Sequence, residues 1–193
     1  MFLLDKKQLN KTQLVRITLA AVLSALSLVL MATVRFPIFP SMPFYEMEFS
    51  DVPILICSSL LGPVYSIVSL FIVCLVQTLF FSSSSGFIGF VMHFVSSGLM
   101  ILVVYFLRKK IPGLKGALIS GVAGAVVMTL VMIPMNIWLT SVFMNINLKA
   151  FVTGFLAVCV AFNLIKASSN LLIYNILAPR LEKAFPRLTG DLK

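Results

Sequence analysis

Apolar runs of about 20 residues recur along this chain, each long enough to cross a hydrocarbon core about 30 Å thick as a helix. The pattern predicts six spans, at about residues 13–34, 51–62, 64–81, 87–107, 115–141 and 149–177. The breaks between them have recognisable chemistry. Arg35 to Phe49 holds Pro37, Pro40 and Pro43 with Glu46 and Glu48, which stops any helix. That loop is also aromatic (Phe36, Phe39, Phe44, Tyr45, Phe49), so it is expected to pack over something. Ser50 or Asp51 can cap the second span, with Pro53 in its first turn, and Gly62-Pro63 ends it. Ser82 to Gly86 and Met144 to Leu148 read as turns, and Pro179 closes the last span. Residues 50–81 fit two short spans or one broken span.

Composition agrees with burial in lipid: 60% of the 193 residues are hydrophobic and 11% are charged. Six spans occupy roughly 120 residues, which leaves no room for a soluble catalytic domain. The apolar run after the basic head is too long for a signal segment and is expected to stay as the first helix.

The net charge of +9 raises nucleic acid as a partner, but its placement excludes it. Basic residues cluster beside apolar runs, with no basic stripe carrying interleaved aromatics. With the N-terminus in the cytoplasm, Lys6, Lys7, Lys11, Arg16, Arg108, Lys109, Lys110, Lys115, Arg180, Lys183, Arg187 and Lys193 all fall inside. Only Arg35 and Lys149 fall outside. An odd number of spans would put the basic tail outside, against that rule. The expected fold is therefore a single all-α integral membrane domain of six helices over residues 1–193, both ends cytoplasmic, in the cell membrane.

Candidate chemistry concentrates in the last span. Asn163, Lys166 and Asn170 are spaced i, i+3, i+7 and share one helical face. A lysine within a span costs about 2.5–3.5 kcal/mol on insertion scales, so Lys166 should face a cavity or a partner. Asn136 lies near the outer end of the fifth span, and its amide suits a heteroaromatic edge or a polyol. Asparagines within spans also serve as links between helices. Nearby Trp138 suits an interfacial anchor. Glu46, Glu48 and Asp51 form either a polar lid that reaches a ligand or Lys166, or a solvated loop with a helix cap. They lack metal-ligand spacing with a histidine, so no metal site is expected. His93 and Ser97, spaced i and i+4, allow an intramembrane serine hydrolase, but the sequence around them suits helix packing better. Cys57, Cys74 and Cys159 sit unpaired in apolar segments. No phosphate-binding Gly-Lys-Ser/Thr loop exists, so any ATP hydrolysis belongs to another chain. Ala21 and Ala25 form a small-x-x-x-small face that lets another helix approach closely.

Together these segments resemble the substrate-binding (S) components of energy-coupling factor vitamin transporters, most closely the riboflavin-specific ones. The resemblance rests on Ala21-x-x-x-Ala25, Phe36-Pro37-x-Phe39-Pro40-Ser-x-Pro43-Phe44, Phe49-Ser50-Asp51-Val52-Pro53, Gly62-Pro63 and Phe162-Asn163-Leu164-Ile165-Lys166. It implies a vitamin site near the outer face covered by the first loop, with Asn136, Asn163 and Lys166 bonding a flavin. Asn170, Phe39, Phe44, Tyr45, Glu46 and Asp51 complete the candidate site. It implies that Ala21 and Ala25 dock on a transmembrane coupling subunit that sits on two ATPases. No cofactor is implied; riboflavin is the transported ligand. Where the family usually carries a Lys-Asn pair in the third helix, this chain has Val76-Gln77. Other S-component ligands (pantothenate, folate, a pyridoxine relative) fit the same polar face.

Overall fold

The computed structural model describes residues 11–39, 42, 45–81, 86–140 and 147–185. Helix α1 (Lys11–Thr33) leads into a short antiparallel pair, β1 (Phe36–Pro37) and β2 (Glu46–Met47), with Phe36 opposite Met47. Helices α2 (Asp51–Leu61), α3 (Pro63–Phe80), α4 (Gly86–Lys110) and α5 (Gly113–Met135) follow. A π-helical turn (Asn136–Thr140) extends α5, and α6 (Leu148–Gly154) precedes α7 (Leu156–Ala184).

Five of these helices are long and apolar enough to cross a membrane: α1, α3, α4, α5 with its π turn, and α7. The protein is a multi-pass integral membrane protein. The second expected span differs. With 11 residues, α2 is about 16 Å long, short of the hydrocarbon thickness. It is also buried all round, only Ser59 being partly accessible. An apolar helix of this kind needs no lipid-facing length, because its surroundings are protein. It packs against α1, α3, α4 and α7 and forms the axis of the core. Gly62 joins it to α3 at φ 94°, a left-handed conformation that favours glycine, and Pro63 opens α3 where its missing N–H is harmless.

The outer helices turn apolar side chains outward. Leu14, Val22, Val29, Val64, Leu79, Leu118, Val122 and Leu172 are exposed to what is lipid in the cell. Around α4, α5 and α7 the packing is close: a Cβ on Gly124 would lie 2.7 Å from Val104 Cγ2 and 3.3 Å from Leu171 Cδ1.

Three boundaries depart from the sequence expectation. The last apolar run is two helices, interrupted at Phe155. Pro179 lies inside α7 and does not close it, since the helix continues to Ala184; a proline removes one backbone hydrogen bond, and the bonds on either side can carry the helix past it. Pro134 likewise sits inside α5, and the helix widens into the π turn two residues later. Residues 82–85 of the turn expected at Ser82–Gly86 and 144–146 of that at Met144–Leu148 lie outside the described residues.

Candidate functional site

Helix α7 is amphipathic in the inverse sense. Asn163, Lys166 and Asn170 point inward and are buried, while Leu164, Ile165 and Leu172 are exposed. A soluble helix hides its apolar stripe; this one hides its polar stripe, because lipid takes the place of water.

Opposite that stripe lies the segment between β2 and α2. Lys166 Nζ donates to Glu48 Oε1 at 2.8 Å, and Asn170 Nδ2 donates to the Glu48 backbone oxygen at 3.1 Å. Glu48 is 2% exposed. Burial alone would push its carboxyl up, but the Lys166 ammonium and then the His93 ring outweigh burial and hold it below the usual carboxylate range. Glu48 is thus a buried anion and not a solvated loop acid.

Asp51 opens α2 and is buried, but it does not act as the cap that the sequence suggested. No side-chain capping bond is made at this helix start. Instead Asp51 Oδ1 meets His93 Nε2 on α4 at 3.1 Å. The other ring nitrogen of His93 meets Gln77 Oε1 on α3 at 2.6 Å and lies 3.8 Å from Glu48 Oε1. Both ring nitrogens therefore face oxygen acceptors, which an imidazolium satisfies by donating twice. Two carboxylates, one ammonium and one imidazole are packed together where α2, α3, α4 and α7 meet. His93 is a polar strut here and not simply a packing residue. This geometry also removes the serine–histidine dyad: both His93 nitrogens are engaged by Gln77 and Asp51 and neither by Ser97.

A second group sits one turn earlier along α7. Tyr45 stacks on Phe162 with ring centroids 4.9 Å apart, and its hydroxyl donates to Asn136 Oδ1 at 3.0 Å. Burial pushes the Tyr45 phenol well above its ordinary range, so it stays a neutral donor. Asn136 stands at the start of the π turn and anchors its own amide nitrogen to Met132 O at 2.9 Å. Met42, Tyr45, Cys159 and Phe162 form a small apolar cluster, with Phe39 packed against it. The aromatic loop thus covers the early part of α7.

The expected residues divide as follows. Asn136, Asn163, Lys166, Asn170, Phe39, Tyr45 and Asp51 gather around these two adjoining groups. Glu46 does not join them; it pairs with Arg35 at the margin of the loop. Phe44 lies outside the described residues. Ala21 and Ala25 are exposed on α1, away from this face. His93 and Gln77 were not among the expected ligand contacts; Glu48 was expected in a polar lid reaching a ligand or Lys166, and it meets Lys166. No local signal singled out Glu48, because Glu46 is flanked by large apolar residues as well.

Among the described residues four buried carboxylate or amide oxygens have no hydrogen-bond partner: Glu48 Oε2, Asp51 Oδ2, Asn163 Oδ1 and Asn170 Oδ1. Both asparagines spend their NH₂ groups on backbone carbonyls of α7, Cys159 O for Asn163 and Lys166 O for Asn170. Unmade bonds on buried polar atoms are costly, and in native proteins they cluster where something else binds. The face combines one cationic donor with several acceptors and an aromatic cover. That inventory suits recognition of a small heteroatom-rich molecule. Among the described residues no group of His, Cys, Asp and Glu suits a metal ion.

Comparison with known proteins agrees with that chemistry. A family model for the substrate-specific component of ECF transporters matches residues 15–178. The chain is 33% identical over 132 residues to the riboflavin transporter RibU of Lactococcus lactis subsp. cremoris, covering 67% of this chain and 63% of that protein. It is 34% identical over 123 residues to the riboflavin transporter FmnP of Bacillus subtilis, covering 63% of this chain and 64% of that protein. The match thus spans somewhat less than two thirds of either relative. A solved S component of a bacterial ECF transporter superposes with a TM-score of 0.76 at 26% identity, covering 89% of this chain and 97% of that one. A transporter component of this kind binds cargo and is not an enzyme. The chain belongs to the substrate-specific components of ECF transporters, multi-pass proteins of the cell membrane.

Proposed function

We propose that this chain binds riboflavin at the α7 face and hands it to separate coupling and ATPase subunits. The observation that carries the proposal is the row Asn163, Lys166 and Asn170, buried in a membrane helix with two of its amide oxygens unpaired. The similar riboflavin transporters RibU and FmnP support the choice of ligand. The isoalloxazine ring lies under the aromatic loop near Tyr45 and Phe162, and the amides and Lys166 bond its polar edge and the ribityl hydroxyls.

Six crossings with both ends cytoplasmic give the orientation, α2 serving as a short crossing enclosed by protein. Arg35 at the end of α1 donates to Phe81 O at the end of α3, which supports α2 as the return crossing between them. At the opposite end Arg108 reaches Asn175, whose amide reaches Ala117 O, gathering the end of α4, the start of α5 and α7. The basic residues Arg108, Lys109, Lys110 and Lys115 belong to that end, which is cytoplasmic by the charge rule. The exposed Ala21 and Ala25 dock on a transmembrane coupling subunit, and two ATPases supply the hydrolysis this chain has no phosphate loop to perform.

Mass spectrometry of small molecules that co-purify with the protein is the direct test, with riboflavin expected. Riboflavin fluorescence should also be quenched on titration with ligand-free protein. No quenching at micromolar concentration, together with binding of pantothenate, folate or pyridoxine, would transfer the assignment to another vitamin.

A further inference from the structure

We infer that Glu48 is a ligand-contacting, specificity-determining residue, which reads an N–H on the heteroaromatic edge of the ligand through Oε2 while Lys166 donates to the neighbouring carbonyl. The inference rests on the riboflavin reading and goes beyond it by naming the side chain that reads the ligand's N–H.

The geometry is as follows. Glu48 Oε1 is held by Lys166 Nζ, yet Oε2 of the same carboxylate is buried without a hydrogen bond. The residue is fixed from both sides in the chain: β2 ends at Met47, and α2 starts at Asp51. Asn170 holds its backbone oxygen. A primary ammonium has three N–H donors, and Glu48 Oε1 takes one of them. The ion pair therefore presents a donor and an acceptor side by side. A hydroxyl satisfies one of the two. A –CO–NH– unit in a ring satisfies both at once, the carbonyl taking an ammonium hydrogen and the N–H going to Oε2. The pyrimidinedione edge of a flavin carries such a unit at N3. Sites built to hydrogen-bond a substrate N–H or O–H reject analogues that lack it, because their own buried groups are then left unpaired. Asp51 also leaves an oxygen, Oδ2, without a hydrogen bond, but its other oxygen is held by His93 and not by Lys166, so it offers no acceptor beside the ammonium donor.

The test compares riboflavin with N3-methylriboflavin on the purified full chain, by fluorescence quenching. The wild type should bind the methylated analogue about tenfold to a hundredfold more weakly, as expected for loss of a hydrogen bond to a charged acceptor. Glu48→Ala removes both the acceptor and the bulk around it, so riboflavin should weaken and the two flavins should bind alike. Because Glu48→Ala strands the Lys166 charge, E48A/K166M is measured alongside it and should show the same collapsed ratio. Equal wild-type affinity for the two flavins overturns the role of Glu48 while leaving riboflavin binding in place. A ratio preserved in a folded E48A or E48A/K166M protein overturns it as well. No wild-type binding of riboflavin removes the functional reading, and this inference with it.

Discussion

The Lys166 ammonium lies 2.8 Å from Glu48 Oε1, joining residues 118 positions apart in a largely buried pair. Desolvation opposes such a pair, and its net effect on stability is small or even unfavourable. Removing one partner is a different matter, because the other is left as an isolated buried charge.

Lys166→Met should therefore do more than weaken ligand binding, which is all that an isolated lysine would suggest. It should destabilise the protein by about 3–5 kcal/mol, whereas Glu48→Gln combined with Lys166→Met should cost much less. Thermal unfolding in detergent of the two single variants and the double variant measures this. Additive losses would mean that the pair is not coupled.

Acid should loosen the same link. The folded Glu48 carboxyl is held below its ordinary value, burial being outweighed by Lys166 and His93. Its ionised form thus contributes stability above the unfolded carboxyl pKa of about 4.3, and that contribution is lost as pH falls through the lower folded value. The melting temperature of the wild type should drop more steeply below about pH 4 than that of the E48Q/K166M double variant.

His93→Ala should leave Asp51 buried without its partner on α4 and Gln77 without its partner across the helix interface. A loss of about 3 kcal/mol in stability is expected, of the order found when a buried charged pair is broken. Hydrolase activity should be undetectable in the wild type and the variant alike.

Tyr45→Phe removes the hydroxyl that donates to Asn136 but keeps the ring stacked on Phe162. The loop should be less firmly held by about 1 kcal/mol, the net worth of a typical hydrogen bond. Faster riboflavin release in stopped-flow fluorescence, with the protein's melting temperature little changed, is the expected result. Tyr45→Ala should exceed it, because the stacking is lost too.

Ala21→Trp changes an exposed position on α1, far from the α7 face. Riboflavin binding to the purified protein should stay within about twofold of wild type, in line with a distant surface change. Cellular uptake should be lost if this face carries the coupling subunit, and uptake at the wild-type rate would remove that role.

Much of this was legible in the chain because lipid imposes simple rules. Hydropathy located α1, α3, α4 and α5 with its π turn within a few residues, since every spanning backbone must satisfy its own hydrogen bonds, but α7 starts and ends later than the expected run 149–177. The i, i+3, i+7 spacing of Asn163, Lys166 and Asn170 put them on one face, and the cost of a membrane lysine marked that face as inward. The aromatic residues in a proline-rich loop announced that it packs, and Tyr45 on Phe162 is how it does so. What the one-dimensional pattern could not give was partnership. Glu48 and Lys166 pair across the length of the chain, and nothing local distinguishes Glu48 from Glu46, which faces Arg35 at the loop's edge instead.

By itself, then, the sequence determined a membrane protein with an inward polar stripe on its last helix, because hydrophobic length and helical period are local properties. The tertiary structure alone decided that the short helix α2 is a buried axis, since whether a helix meets lipid or protein depends on its neighbours. It alone decided that Asp51 serves His93 and not a helix cap. And it alone joined Glu48 to Lys166, because a buried charge takes its partner from whatever the fold brings within about 3 Å, at any distance along the chain.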